Sequence, residues 1–201
     1  MHPHWYSASP EVQRKLISLF ILSLGPKSPI TTLSPTSTSP SLMFETELNY
    51  TRDPHNVAAV LRWGLRHLRL EGPSFGSGNS TSSEWAWYLN FATSERDAGY
   101  PPTAFSKSLI PLLPPAHLQL LTAILDTMSS LAAHAEATGT SGSKLAKLFG
   151  LWLLAAERVE SSEDWSAFYK RWEGAGRILE HLFLAHVRYD LSFCTNCAWK
   201  Y

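Results

Sequence analysis

Residues 141–157 read SGSKLAKLFGLWLLAAE. A Ser/Gly entry leads into an apolar run that holds Gly150 in its middle and keeps Lys144 and Lys147 together at one end. Taken alone, the stretch reads as a core helix with a wet end. Its neighbours carry the same signal. Downstream, Ser161 and Asp164 of SSED match a capping box. Trp165, Phe168, Tyr169, Trp172, Leu179, Leu182, Phe183 and Val187 then carry a long final helix. Upstream, Leu118, Leu121, Leu125, Met128, Leu131 and Ala132 make a long amphipathic stripe that Gly139 and Gly142 end.

Earlier segments are also helical in pattern. Asp53-Pro54 supplies a capping residue followed by proline at the first helical position. Val57, Val60, Leu61, Gly64, Leu65 and Leu68 then fall on one face, with Arg62, Arg66 and Arg69 on another. Residues 71–83, EGPSFGSGNSTSS, are too rich in Gly and Ser for regular structure. The segment 83–98 packs Trp85, Trp87, Tyr88, Leu89 and Phe91 into a core helix. YPP at 100–102 breaks the chain before a shorter helix marked by Phe105, Leu109, Ile110 and Leu113. No period-2 run occurs, so the expected class is an all-α bundle of six or so helices.

Composition limits what such a bundle can do. The 201 residues carry 17 basic and 17 acidic side chains, a balance that argues against a general nucleic-acid binder. Cys194 and Cys197 are the only cysteines; one pair supplies half the ligands of a structural zinc. Residues 1–43 differ in character from the rest. Arg14-Lys15 before LISLFILSL (16–24) imitates a signal peptide, but nine residues cannot span a bilayer as a helix. The Pro/Ser/Thr-rich stretch GPKSPITTLSPTSTSPS (25–41) lacks a small-residue cleavage site. Residues 1–43 are therefore expected to form a poorly ordered extension, with no integral membrane segment.

Catalytic signatures are missing. The eight histidines are scattered, and no HExxH, GxSxG, phosphate-loop or dinucleotide-binding pattern occurs. His117 and His134 read as polar-face or satisfied histidines, and no metal or cofactor is expected. GPSFGSG (72–78) is glycine-rich but follows no strand, which makes it a weak phosphate cradle.

Residues 113–154, from LPPAHLQLL to SKLAKLFGLWLL, resemble the central signature of Rho-type GTPase-activating domains. Leu113-Pro114, Leu145-Ala146 and Phe149-Gly150 fall on its matching positions. DPHNVAAVLRWGLRHLRLEG (53–72), SGSKLAKLFGLWLL (141–154) and FYKRWEGAGRILEHLFLAHVR (168–188) further resemble the Rho-GAP-like domain of fungal morphogenesis proteins. That family is also described as meiotically up-regulated proteins related to a yeast budding suppressor. The resemblance covers about 44–190. It implies a Rho-GAP-like helical domain there, with a C-terminal tail at 191–201. It also implies that Gly150 marks a point of close helix approach.

The resemblance implies a function only position by position. Active relatives place an arginine finger after the first core helix, where it offsets charge on the transferred phosphoryl group. Here EGPSFGSG (71–78) aligns at Glu71-Gly72, and Phe75 or Gly76 stands where the arginine should be. Lys144 replaces the signature asparagine, and Thr138, Gly139 and Thr140 replace Asn-Lys-Met. The implied role is a non-catalytic interaction module that is not itself an enzyme. Its partners would be Rho-type small GTPases or polarity and cell-wall signalling proteins. The implied location is the cytoplasm, at the cell cortex or sites of polarised growth. The alternative is an active GTPase activator with a displaced finger. Arg62, Arg66, Lys144 and Lys147 are the candidate contacts to the acidic switch region of a GTPase. The ending DLSFCTNCAWKY (190–201) departs from the family, as a fragment, splice form or gene-model artefact would.

Overall fold

The computed structural model describes residues 8–24, 39–67, 85–154 and 164–197. Nearly all of them are helical and no strand occurs among them, so the all-α class stands. The chain divides into two compact units, Met1–Arg66 and His67–Tyr201.

The first unit departs from expectation. Within the stretch read as a poorly ordered extension lie helices α1, Pro10–Ser23, and the start of α2, Pro40–Tyr50. Each has proline in its first turn, where the missing N–H costs nothing. Leu16 is fully buried, and the Phe20 ring meets Phe44 at 5.5 Å and Trp63, edge-on, at 6.4 Å. Lys15 and Glu47 pair at 2.7 Å. The apolar run that imitates a signal core is thus in part a packing face. The Pro/Ser/Thr character comes from 25–41, of which 25–38 lies outside the described residues.

Helix α3, Pro54–His67, starts where the sequence indicated, with Asp53 Oδ1 accepting from the His55 N–H at 2.9 Å. Its buried face is rotated from the expected one. Asn56, Ala59, Val60 and Leu65 are buried, while Val57 and Leu61 are exposed. Asn56 is buried because its Oδ1 accepts the Ser9 N–H at 2.7 Å, tying the start of α1 to α3. No helix among the described residues is long and apolar enough to cross a membrane.

The second unit holds α4, Ala86–Asp97, α5, Pro115–Ala132, the single turn α6, Ala135–Thr138, α7, Gly142–Leu154, and α8, Trp165–Cys197. The expected short helix before α5 is a π-helical turn, Phe105–Leu109, followed by a 3-10 turn, Ile110–Leu112. Pro111 cannot sustain a regular ladder there. Gly139 ends α6 at φ 65°, a left-handed cap that glycine adopts without strain. Gly142, expected to help end that helix, instead opens α7; a Cβ there would fall 2.6 Å from the Phe183 ring. Asp164 caps α8 by itself, its Oδ1 accepting from the Ala167 N–H at 2.7 Å. Ser161, its expected capping-box partner, lies outside the described residues.

The core of this unit is built from Phe91 on α4, Leu121 and Leu125 on α5, Phe149 and Leu154 on α7, and Leu179 on α8. Each such side chain contributes roughly 1.5–3 kcal/mol on burial. Helix α8 runs on through Cys197, so the part of the expected C-terminal tail at 191–197 is helical.

Candidate interaction surface on α7 and α8

Helices α7 and α8 approach until their backbones touch. A Cβ on Gly150 would lie 2.6 Å from the Ala175 carbonyl oxygen, and one on Gly176 would lie 3.2 Å from Lys147 Cα. One glycine on each helix therefore removes the side chain that would hold the pair apart. The Trp172 indole N–H then donates to the Lys147 carbonyl at 2.9 Å, fixing the crossing from the side. The close approach expected at Gly150 is present.

That crossing positions the two lysines. Lys144 and Lys147 are both exposed on the first turns of α7, three residues apart and so on neighbouring positions of one face. The Lys144 ammonium donates to the Gly139 carbonyl at 2.8 Å, back across Thr140 and Ser141. Arg62 and Arg66 lie one turn apart on α3, half-buried and exposed respectively. The four candidate residues thus form two pairs, one in each compact unit. Arg69 and the loop 71–78 lie outside the described residues.

Sequence reasoning missed a buried charge cluster between α4 and α8. Glu95 has no exposed surface. Its Oε1 accepts from Arg188 Nη2 at 2.5 Å. Its Oε2 lies 2.7 Å from His181 Nε2, off hydrogen-bond alignment. On the other side of that imidazole, Nδ1 meets the Tyr88 hydroxyl at 3.0 Å, and the Phe91 ring packs on it at 5.8 Å. Phenol, imidazole and carboxylate stand in the order of a proton relay. The electrostatics run against one. Burial pushes the Tyr88 hydroxyl above its ordinary pKa, and the charges of Glu95 and Tyr100 push it further. A nucleophile or base is activated by the opposite shift. The cluster works as a clamp.

Tyr88 therefore binds its proton more tightly in the folded state than in the unfolded chain. Between the ordinary tyrosine value of about 10 and the raised one, the native state holds more protons, so stability falls as pH rises through that window. Phenolate absorbance should show one tyrosine titrating late. The Tyr88→Phe variant should lose that late component, and an unchanged titration in it would assign the shift elsewhere.

A second polar contact links α5 to α8. Buried His186 points Nε2 at Asp126 Oδ1, 2.9 Å away, and at Asp190 Oδ2, 3.3 Å away. The three donor atoms lie within 4.8 Å of one another, close enough to share a divalent cation. The other ring nitrogen speaks for a simpler role. Nδ1 is buried without a protein partner, whereas a metal-bound imidazole normally donates its second N–H to an acceptor. With the proton on Nε2, the ring clasps both carboxylates and leaves only a lone pair unpaired beside Phe105.

The first turns of α8, which carry the start of the expected final helix, are largely open. Trp165 is 82% and Tyr169 55% exposed, with Phe168 and Trp172 half-buried. With Leu151 of α7 they wall a groove of about 860 Å³.

Residues 81–193, over half of the chain, match the family described as the meiotically up-regulated protein Msb1/Mug8 domain. The chain belongs to this family. No curated protein and no solved structure matches it. The Msb1/Mug8 match takes in α4 to α7 and most of α8, and with them Lys144, Lys147, the Glu95 clamp and the aromatic groove. It begins beyond α3, so Arg62, Arg66 and the block at 53–72 that entered the sequence resemblance fall outside the Msb1/Mug8 region.

Proposed function

We propose that this Msb1/Mug8-domain protein is a Rho-GAP-like interaction module without GTPase-activating catalysis. It binds Rho-type small GTPases or their partners in polarised growth, cell-wall signalling and morphogenesis, at the cell cortex. Family membership supports the coarser part of this reading, a role in morphogenesis or meiosis. The finer part rests on the signature residues Leu113-Pro114, Leu145-Ala146 and Phe149-Gly150.

The observation that carries it is the placement of Lys144 and Lys147. Both are exposed within one turn, on a helix whose position is set by backbone contact with α8. A fixed pair of cations suits the acidic, Mg²⁺-bearing switch face of a GTPase. Lys144 stands where active relatives keep asparagine, and its ammonium is engaged with the Gly139 carbonyl. That supports binding without catalysis.

Pull-down with GTP-loaded and GDP-loaded Rho-type GTPases tests the module. Exchanging Lys144 and Lys147 together for glutamate should weaken association tenfold or more, about 1.4 kcal/mol. The fold should survive, because both side chains are exposed. Undiminished binding in the double variant would remove α7 from the interface. The same charge reversal at Arg62 and Arg66 examines α3 independently. A GTP-hydrolysis assay across the panel separates the alternative, since hundredfold acceleration by the wild-type chain requires a displaced finger.

A further inference from the structure

The two exposed lysines of α7 are not equivalent, because their ammonium groups are engaged differently. Lys144 turns back on its own chain, and its Nζ donates to the Gly139 carbonyl at 2.8 Å. That carbonyl belongs to the left-handed cap of α6, just past the last helical residue, where carbonyls have no partner within the helix. The bond closes the elbow between α6 and α7. An ammonium held in this way must release its acceptor before it can pair with a partner's carboxylate. Part of any new interaction is then offset by the one broken.

Lys147 is held at the other end of its side chain. Its carbonyl accepts the Trp172 indole N–H at 2.9 Å. Its Cα and Cγ each lie 3.2 Å from where a Cβ on Gly176 would stand, so the stem runs close over the bare backbone of α8. Among the described residues no hydrogen bond or ion pair engages the Lys147 ammonium. The backbone and first methylenes are therefore fixed while the charge stands in solvent. Pairing such a head costs less side-chain freedom than pairing an unsupported lysine.

Resting on the GTPase-binding reading proposed above, we infer that the pair divides its roles. Lys147 is the cation that α7 presents to the acidic partner surface. Lys144 is a strut that sets the α6–α7 elbow, a positioning residue that makes no contact of its own. Nearly all of the loss expected from the double glutamate exchange should then appear in Lys147→Glu alone.

Single variants of the full chain, titrated with the panel of Rho-type GTPases, separate the two roles. Lys147→Glu should weaken association at least about tenfold and flatten its dependence on salt, whereas Lys147→Arg keeps both. Lys144→Met should leave affinity within about twofold and the salt dependence unchanged, because no charge pair is lost. It should instead lower the urea midpoint, which Lys144→Arg restores in part. Labelling of the free chain supplies a readout that needs no partner. Limited acetylation followed by peptide mass spectrometry should modify Lys147 faster than Lys144, whose amine must first leave the Gly139 carbonyl. Equal or reversed labelling would overturn the division, as would an affinity that falls more in Lys144→Met than in Lys147→Glu. If no GTPase of the panel binds the wild-type chain, the GTPase reading fails, and the labelling order alone decides between the two lysines.

Discussion

Replacing Glu95 with alanine is expected to cost about 3–5 kcal/mol of folding stability, enough to unfold a domain of ordinary stability at modest temperature. The carboxylate is fully buried and holds Arg188 on one oxygen, with His181 close to the other. Truncation would leave a partly buried guanidinium facing an empty space, with Arg188 Nε already lacking a partner. The size of the loss comes from stranding that charge, more than from the net worth of the pair. A second substitution makes this distinction measurable. Pairing Glu95→Leu with Arg188→Met should recover most of the stability, because a buried ion pair is often replaceable by apolar groups of similar volume. Urea midpoints of the three proteins provide the comparison. A loss below about 1 kcal/mol in Glu95→Ala would mean the clamp is solvated in solution.

The second large effect concerns Gly150. In most helices a glycine-to-alanine change stabilises by about 0.5–1 kcal/mol, since it removes unfolded-state freedom. Here the sign should reverse. The new methyl would lie 2.6 Å from the Ala175 carbonyl oxygen and 2.9 Å from the Gly176 nitrogen, both backbone atoms with no rotamer to turn away. The helices must separate, at about 1–3 kcal/mol for alanine. Valine at the same place should prevent native packing altogether. Gly64 provides an internal control. It is also within a helix, but a Cβ there would meet nothing within 4 Å, so Gly64→Ala should stabilise. Equal shifts at the two glycines would rule out the close crossing.

Helix identity was legible wherever local chemistry decides it. Asp53-Pro54 and Gly139 behave as their types dictate, because a cap or a left-handed turn depends on a few adjacent residues. The close approach at Gly150 was expected only from the resemblance to a Rho-type GTPase-activating signature, since spacing alone does not say which helix a small residue lets in. What covers a helix face was not legible. The Trp165 to Trp172 stripe has core periodicity, but periodicity names one side of a helix without naming its occupant. Glu95 was missed for a related reason. In FATSERDAG it looks like any solvated acid, and only the return of α8 brings Arg188 and His181 beside it. The helical order of α1 was hidden by averaging its apolar face with the Pro/Ser/Thr run behind it.

One dimension of α7 has a consequence for traffic across the molecule. Leu151, which walls the aromatic groove, follows Lys144 by seven residues, a rise of roughly 10 Å along the axis. Two folded partners cannot occupy points so close without meeting. A GTPase on the lysine pair and a second partner on the groove would therefore either exclude each other or touch directly. The helix would act as a fixed spacer that decides whether two partners compete for the protein or are joined by it.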